Sequence, residues 1–123
     1  MSPPITRTPV LTARLQLRPY EPTDAPAFAD LLRTNQERIR PSFPDRVRAA
    51  LTPDSARAAL EGFRGDWRTG RFYVLGIWQR HTGEYLGDIC LLPRPPIGGE
   101  IGYYLSAAAE GHGYAREALE AME

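Results

Sequence analysis

No lysine occurs in the 123 residues: all fifteen basic residues are arginine, and fifteen acidic residues balance them. With no net charge and no arginine cluster, nothing draws the chain onto nucleic acid or an anionic membrane, and the arginine bias reads as coding bias. Cys90 is the only cysteine and lies in an apolar run, which excludes a disulfide framework and a cysteine metal site. The two histidines, His81 and His112, are far apart in glycine-containing stretches, so no metal site is expected. No run approaches the ~20 apolar residues of a membrane span, and "MSPPITRTPV" lacks the basic cluster and apolar core of a signal peptide. A cytoplasmic protein is expected. What is present is ordinary: 42% apolar and 24% charged residues, enough for a real core in one domain spanning residues 1–123.

Residues 11–18, "LTARLQLR", alternate, with Leu11, Ala13, Leu15 and Leu17 on one face, and predict one half-buried strand. Thr23 or Asp24 can cap a helix carrying Ala25, Phe28, Ala29 and Leu32. "RIRPSFPDR" is expected to be a loop because two prolines interrupt it. Thr52 followed by Pro53 starts a second helix, with Ala56, Ala59, Leu60, Phe63 and Trp67 inward. "RFYVLGIWQR" is apolar nearly throughout, as a strand covered on both faces would be. "HTGE" is a hairpin turn, "YLGDICLL" the returning strand, "PRPPIGG" a loop and "EIGYYL" a further strand. Gly113 to Glu123 forms the last helix, with Ala115, Ala118, Leu119 and Met122 inward. The order implies an α/β (α+β) sandwich with a largely antiparallel sheet flanked by helices.

Gly111-His112-Gly113 joins a strand end to a helix start. Such a turn is common before any helix, but it also suits an anion: first-turn N–H groups point outward, the helix dipole favours negative charge, and glycine lets a bulky group approach the backbone. Spacing alone leaves both readings open, although a Rossmann fingerprint is disfavoured because the third glycine is missing.

"EIGYYLSAAAEGHGYAREAL" resembles motif A of the GNAT superfamily of acetyltransferases, closest to the branch that acetylates ribosomal-protein N-termini. "LTARLQLRPYEPTDAPAF" resembles that branch's opening and "YLGDICLL" its glycine-centred third strand, so the likeness runs over essentially the whole chain. The resemblance implies an acetyl-CoA-dependent N-acetyltransferase. The pyrophosphate of acyl-CoA would lie on the Glu110, Gly111, His112, Gly113, Tyr114 and Ala115 turn, and the pantetheine arm along the backbone of Tyr103, Tyr104 and Leu105. A backbone amide of that strand would stabilise the oxyanion. Glu100 would be the base, acting through water; the alternative is a solvated carboxylate at the strand end.

Some positions depart from the family pattern. Glu110 stands where glutamine, arginine or tryptophan is usual, and a carboxylate beside a pyrophosphate is repulsive by about 1 kcal/mol across water. Ala107 stands where proline is common. Arg116 can reach a phosphate or simply be an exposed helix arginine. Of Tyr103 and Tyr104, one should be core and the other line the acceptor side. In the family the last helix leads into a parallel strand, another helix and two more strands, which supply a thiolate-protonating tyrosine. The chain is therefore expected to be a C-terminally incomplete GNAT domain, truncated after the motif A helix. Ile101, Tyr103 and Leu105 would then lie on an open, poorly covered edge, which invites a strand-joined or helix-swapped homodimer. The alternative to an enzyme acting on an amine, such as a protein N-terminus, is an inactive acyl-CoA-binding or self-associating remnant.

Overall fold

The structure, a computed structural model, describes residues 9–93 and 99–122. Five strands form one antiparallel sheet in chain order: β1 (Val10–Leu11), β2 (Leu15–Arg18), β3 (Tyr73–Gln79), β4 (Tyr85–Pro93) and β5 (Gly99–Leu105). Four helices, α1 (Ala25–Thr34), α2 (Gln36–Ile39), α3 (Pro44–Ala49) and α4 (Pro53–Thr69), come between β2 and β3, and α5 (Tyr114–Ala121) follows β5. The middle of the loop expected at "PRPPIGG" lies outside the described residues.

The alternation at residues 11–18 is not one strand. The Thr12 hydroxyl accepts from Leu15 N–H at 2.9 Å and Thr12 N–H donates to Leu15 O at 2.9 Å. This turn folds β1 back on β2, pairing Val10 with Leu17. Leu15 and Leu17 are fully buried, whereas Leu11 is 56% exposed. Side-chain alternation registers the faces of a strand but not where a threonine hydroxyl turns it.

The expected loop at "RIRPSFPDR" is largely helical, as α2 and α3. Pro41 falls in the turn after α2 and Pro44 at the first position of α3, where proline's missing N–H costs nothing. The prolines delimit short helices rather than preventing them. α4 begins as its sequence predicts: Thr52 caps it, Pro53 follows, and Gly70 ends it in the left-handed region at φ 70°.

Apolar residues cover both faces of the sheet. Val74, Trp78, Cys90 and Tyr104 pack with Phe28, Leu32 and Leu60 beneath α1, α3 and α4. Leu15, Leu17, Leu75, Ile77, Ile89 and Leu105 pack on the other face with Ala118 of α5 and with Trp67 from the end of α4. That double cover explains the unbroken apolar run of β3. In α5, Ala118 is buried, and Ala115, Leu119 and Met122 pack partly buried around the same cluster.

Among the described residues, β5 is the last strand of the sheet. Its cover is uneven. Ile101 and Tyr103 are 45% and 44% exposed, but Leu105 is buried at 5%, because α5 and Ala109 close over the strand's end.

Candidate functional site

The site is built where β5 runs into α5. Leu105 stands opposite Gly87, and Ser106 N–H donates to Leu86 O at 2.9 Å. That pattern makes Leu105 and Gly87 a non-hydrogen-bonded pair, so the N–H and C=O of Leu105, and by alternation of Tyr103, point away from β4 to the open edge. The close approach of β4 here depends on Gly87, where a Cβ would stand 2.0 Å from the Tyr104 carbonyl oxygen.

The connection is fastened from two sides. Ala107 N–H donates to Asn35 Oδ1 at 2.9 Å, and Ala109 N–H donates to the Ser106 hydroxyl at 3.2 Å, holding a short 3-10 turn. Gly111 and Gly113 both take left-handed backbone, φ 81° and 79°. Gly113 is the N-cap of α5 and offers no side-chain cap, so the first-turn N–H groups have none. A Cβ on Gly111 would meet nothing within 4 Å.

The other side is a clamp from the β1–β2 turn. The Glu117 carboxylate accepts from Arg14 N–H at 2.9 Å, from Arg14 Nε at 2.8 Å and from the Thr12 hydroxyl. Arg14 Nη1 then donates to the His112 carbonyl at 2.8 Å, and its guanidinium lies 4.5 Å from the centre of the Tyr114 ring. Burial works to raise the Glu117 carboxyl, but the bonds from Thr12 and Arg14 outweigh it and hold the group below its ordinary value.

A cleft of about 210 Å³ opens in front of this turn. Tyr103 and Leu105 line it from the strand, Ala109, Glu110 and Gly111 from the turn, and Gly113, Tyr114 and Ala115 from the helix start. Seven residues expected to hold a cofactor are thus brought together: Tyr103, Leu105, Glu110, Gly111, Gly113, Tyr114 and Ala115. Two are not among the lining residues. His112 is exposed and contributes its carbonyl to Arg14. Tyr104 turns its side chain to the opposite face, where its hydroxyl donates to Asp88 at 2.7 Å. The tyrosine pair divides as expected, Tyr104 buried and Tyr103 exposed. Glu100 is opposite Leu92 near the other end of β5, and three residues of strand put it about 10 Å from Tyr103. Arg116 is 85% exposed and pairs with Glu120 at 3.2 Å.

A second cleft, about 180 Å³, shares Tyr103, Leu105 and Glu110 with the first and is closed on its far side by Arg38, Ile39, Ser42 and Phe43 of the α2–α3 segment. Arg38 Nη1 donates to Leu105 O at 3.1 Å, and the same guanidinium pairs with Glu110. The helical α2–α3 segment brings Arg38 here, and nothing in the local sequence marks it.

Beneath the second cleft lies a buried polar cluster. Asp88 Oδ2 accepts from the Tyr20 and Tyr104 hydroxyls, each at 2.7 Å, and from Arg46 Nε at 3.2 Å; Oδ1 accepts from Arg46 Nη2 at 3.3 Å. Tyr85 adds a hydroxyl contact to Tyr20 and one to Tyr104. Burial, then the Asp88 charge, pushes all three phenols well above their ordinary value, so they stay neutral donors. For Arg46, burial works against the charge, but Asp88 more than restores it. Arg46 also lies 4.4 Å from the centre of the Phe63 ring.

Residues 14–123 match the family described as the acetyltransferase (GNAT) domain, and the chain belongs to that family. Among solved structures it is similar to RimJ of Mycobacterium smegmatis in complex with a CoA disulfide, at 24% identity and a TM-score of 0.81, covering 97% of this chain and 61% of that one. RimL, a ribosomal L7/L12 alpha-N-protein acetyltransferase in complex with coenzyme A, gives 21% identity and a TM-score of 0.78 over 92% of this chain and 63% of that one. The ribosomal-protein-S5-alanine acetyltransferase of Vibrio fischeri gives 21% and 0.76 over 91% and 63%. The chain therefore spans less than two thirds of the length of these structures. No curated protein matches it.

Proposed function

We propose that the chain is the acyl-CoA-binding portion of an N-acetyltransferase that moves an acetyl group from acetyl-CoA to a primary amine. One observation carries the reading: the residues that line the cleft at the end of β5 are the strand end, glycine turn and helix start to which the family resemblance assigns the cofactor. The fit is chemical as well. Two left-handed glycines leave the turn's backbone open, the first turn of α5 is uncapped by any side chain, and the clamp through Arg14 holds the turn in place. The diphosphate would rest on Gly111 to Ala115. The outward N–H and C=O of Tyr103 and the N–H of Leu105 would take the pantetheine arm as an added strand takes its neighbour, while the Leu105 carbonyl stays with Arg38. When bound, acetyl-CoA supplies the thioester; the protein orients it and stabilises the charge that develops on the carbonyl oxygen.

Glu100 serves as the base through water. The demand on it is small for one kind of acceptor. A chain-terminal amine, reference pKa ~7.7–8.0, is roughly a tenth to a fifth neutral at pH 7, against about one in 2,500 for a lysine. A single carboxylate near the far end of the strand therefore suits a protein N-terminus or another weakly basic amine, consistent with the acceptors named for the RimL and Vibrio fischeri proteins.

Calorimetric titration of acetyl-CoA into the 123-residue chain, with its mass in solution measured alongside, tests the reading. Saturable binding is expected; its absence in a folded protein would refute it. Exposed Ile101 and Tyr103 on the edge strand favour a second reading, an inactive self-associating remnant. A dimer that binds acetyl-CoA without acetylating a peptide N-terminus would select it.

A further inference from the structure

We propose that Arg38 is a charge-compensating residue for cofactor binding: by pairing with Glu110 it lets an acidic residue stand at the mouth of a site that must hold a diphosphate. The inference rests on the cofactor reading above. Glu110 lines both clefts, so its charge stands close to whatever anion the turn receives. Other arginines near the turn are committed elsewhere. Arg14 lies behind it, tied to Glu117 and the His112 carbonyl, and Arg116 points to solvent with Glu120. Arg38 approaches from α2 and reaches the place where the clefts meet. Its planar fork satisfies two acceptors at once, the Leu105 carbonyl at 3.1 Å and the Glu110 carboxylate.

The Leu105 bond fixes where the positive charge stands. With that anchor, Arg38 cancels the Glu110 charge and holds the side chain toward α2. Without Arg38, the carboxylate repels a doubly charged ligand across partly solvated space. Both side chains are more than a third exposed, so the effect is moderate and salt-sensitive.

A double-mutant cycle read by acetyl-CoA calorimetry at low salt tests this. Arg38→Gln is expected to weaken binding about tenfold, as an uncompensated charge at contact distance would. Glu110→Gln should bind at least as tightly as the wild type. The double variant Arg38→Gln/Glu110→Gln should return to within about threefold of the wild type, and the Arg38→Gln loss should shrink as salt rises. A loss of equal size in the Glu110→Gln background would overturn the inference, because Arg38 would then act on the cofactor or the scaffold directly. No loss at all would overturn it as well. Should Arg38→Gln fail to fold, Arg38→Lys keeps the charge and is expected within about threefold of the wild type, so a tenfold loss there overturns charge compensation. If the wild type itself shows no saturable binding, the cofactor reading falls and this inference falls with it.

Discussion

Asp88→Asn exchanges an oxygen for an NH2 group in a fully enclosed polar site, and its effect follows from which oxygen does what. Oδ2 serves the Tyr20 and Tyr104 hydroxyls and Arg46 Nε, and Oδ1 faces Arg46 Nη2. An asparagine that keeps its carbonyl oxygen at the Oδ2 position preserves the tyrosine bonds. Its NH2 group must then meet the Arg46 guanidinium, donor against donor. The negative charge that kept Arg46 ionised in the interior is also gone, and the Arg46 side chain is only 8% exposed. Leaving a buried charge without its partner costs about 3–5 kcal/mol. For a domain of ordinary stability, about 5–15 kcal/mol, that is a fifth or more of the total.

The same reasoning makes the second substitution diagnostic. In Arg46→Met/Asp88→Asn both charges are absent, methionine fills the space against Phe63, and the asparagine amide no longer opposes a donor. The double variant should recover to within about 1–2 kcal/mol of the wild type, well above Asp88→Asn alone. Urea denaturation of the three proteins at pH 7 measures this, with an unchanged slope certifying that the same surface is exposed on unfolding. A double variant no more stable than Asp88→Asn would refute the reasoning. An Asp88→Asn cost below about 1 kcal/mol would refute it too, since it would mean that Arg46 is solvated on its own.

Three further outcomes are expected. Glu117→Gln removes the carboxylate that gathers Thr12 and Arg14, and a charge-assisted set of this kind should be worth about 1–2 kcal/mol by thermal or urea unfolding. Because the folded Glu117 carboxyl lies below its ordinary value of 4.5, its contribution is present above that value and lost as pH falls through the folded one. The gap between wild type and Glu117→Gln should therefore be full at pH 7 and close below pH 4.5; a gap that widens on acidification would contradict the clamp. Gly87→Ala should cost roughly 3 kcal/mol or more, or prevent folding, since its Cβ would meet the rigid Tyr104 carbonyl oxygen at 2.0 Å; near-wild-type melting would show that β4 and β5 can part. Gly111→Ala has space for its Cβ but not the backbone conformation, so it should cost only about 1–2 kcal/mol of stability while weakening acetyl-CoA binding at least tenfold by calorimetry.

Legibility in the sequence followed the range of the interaction. The capped start of α4, the two-faced burial of β3 and the glycine turn before α5 are local patterns, and each is where the sequence places it. Two local readings went astray for local reasons. Alternation through residues 11–18 hid the Thr12 turn, and two prolines that start and separate short helices looked like breakers of any helix. Seven of the eight cleft residues were named in advance because the resemblance to motif A runs along one strand, one turn and one helix start. What fastens them was not. Arg14, Asn35 and Arg38 are ordinary polar residues in their own segments, and they meet the turn only when the chain returns to them from residue 105 onward.

Those long-range ties assign the two halves of the chain different tasks. The strand–turn–helix carries the groups that would touch a cofactor, and it cannot hold their geometry alone: two left-handed glycines and an eight-residue helix have little intrinsic preference for one arrangement. The N-terminal half supplies the arrangement through Arg14 at the helix side, Asn35 at the 3-10 turn and Arg38 at the cleft junction. Tyr104 does the same from beneath, fixing β5 to the buried Asp88 while its neighbours Tyr103 and Leu105 turn their backbone to the open edge. Binding at the turn would then be sensitive to residues outside it. Such variants would separate from those in the turn by lowering stability and affinity together, whereas a turn variant such as Gly111→Ala lowers affinity by far the more.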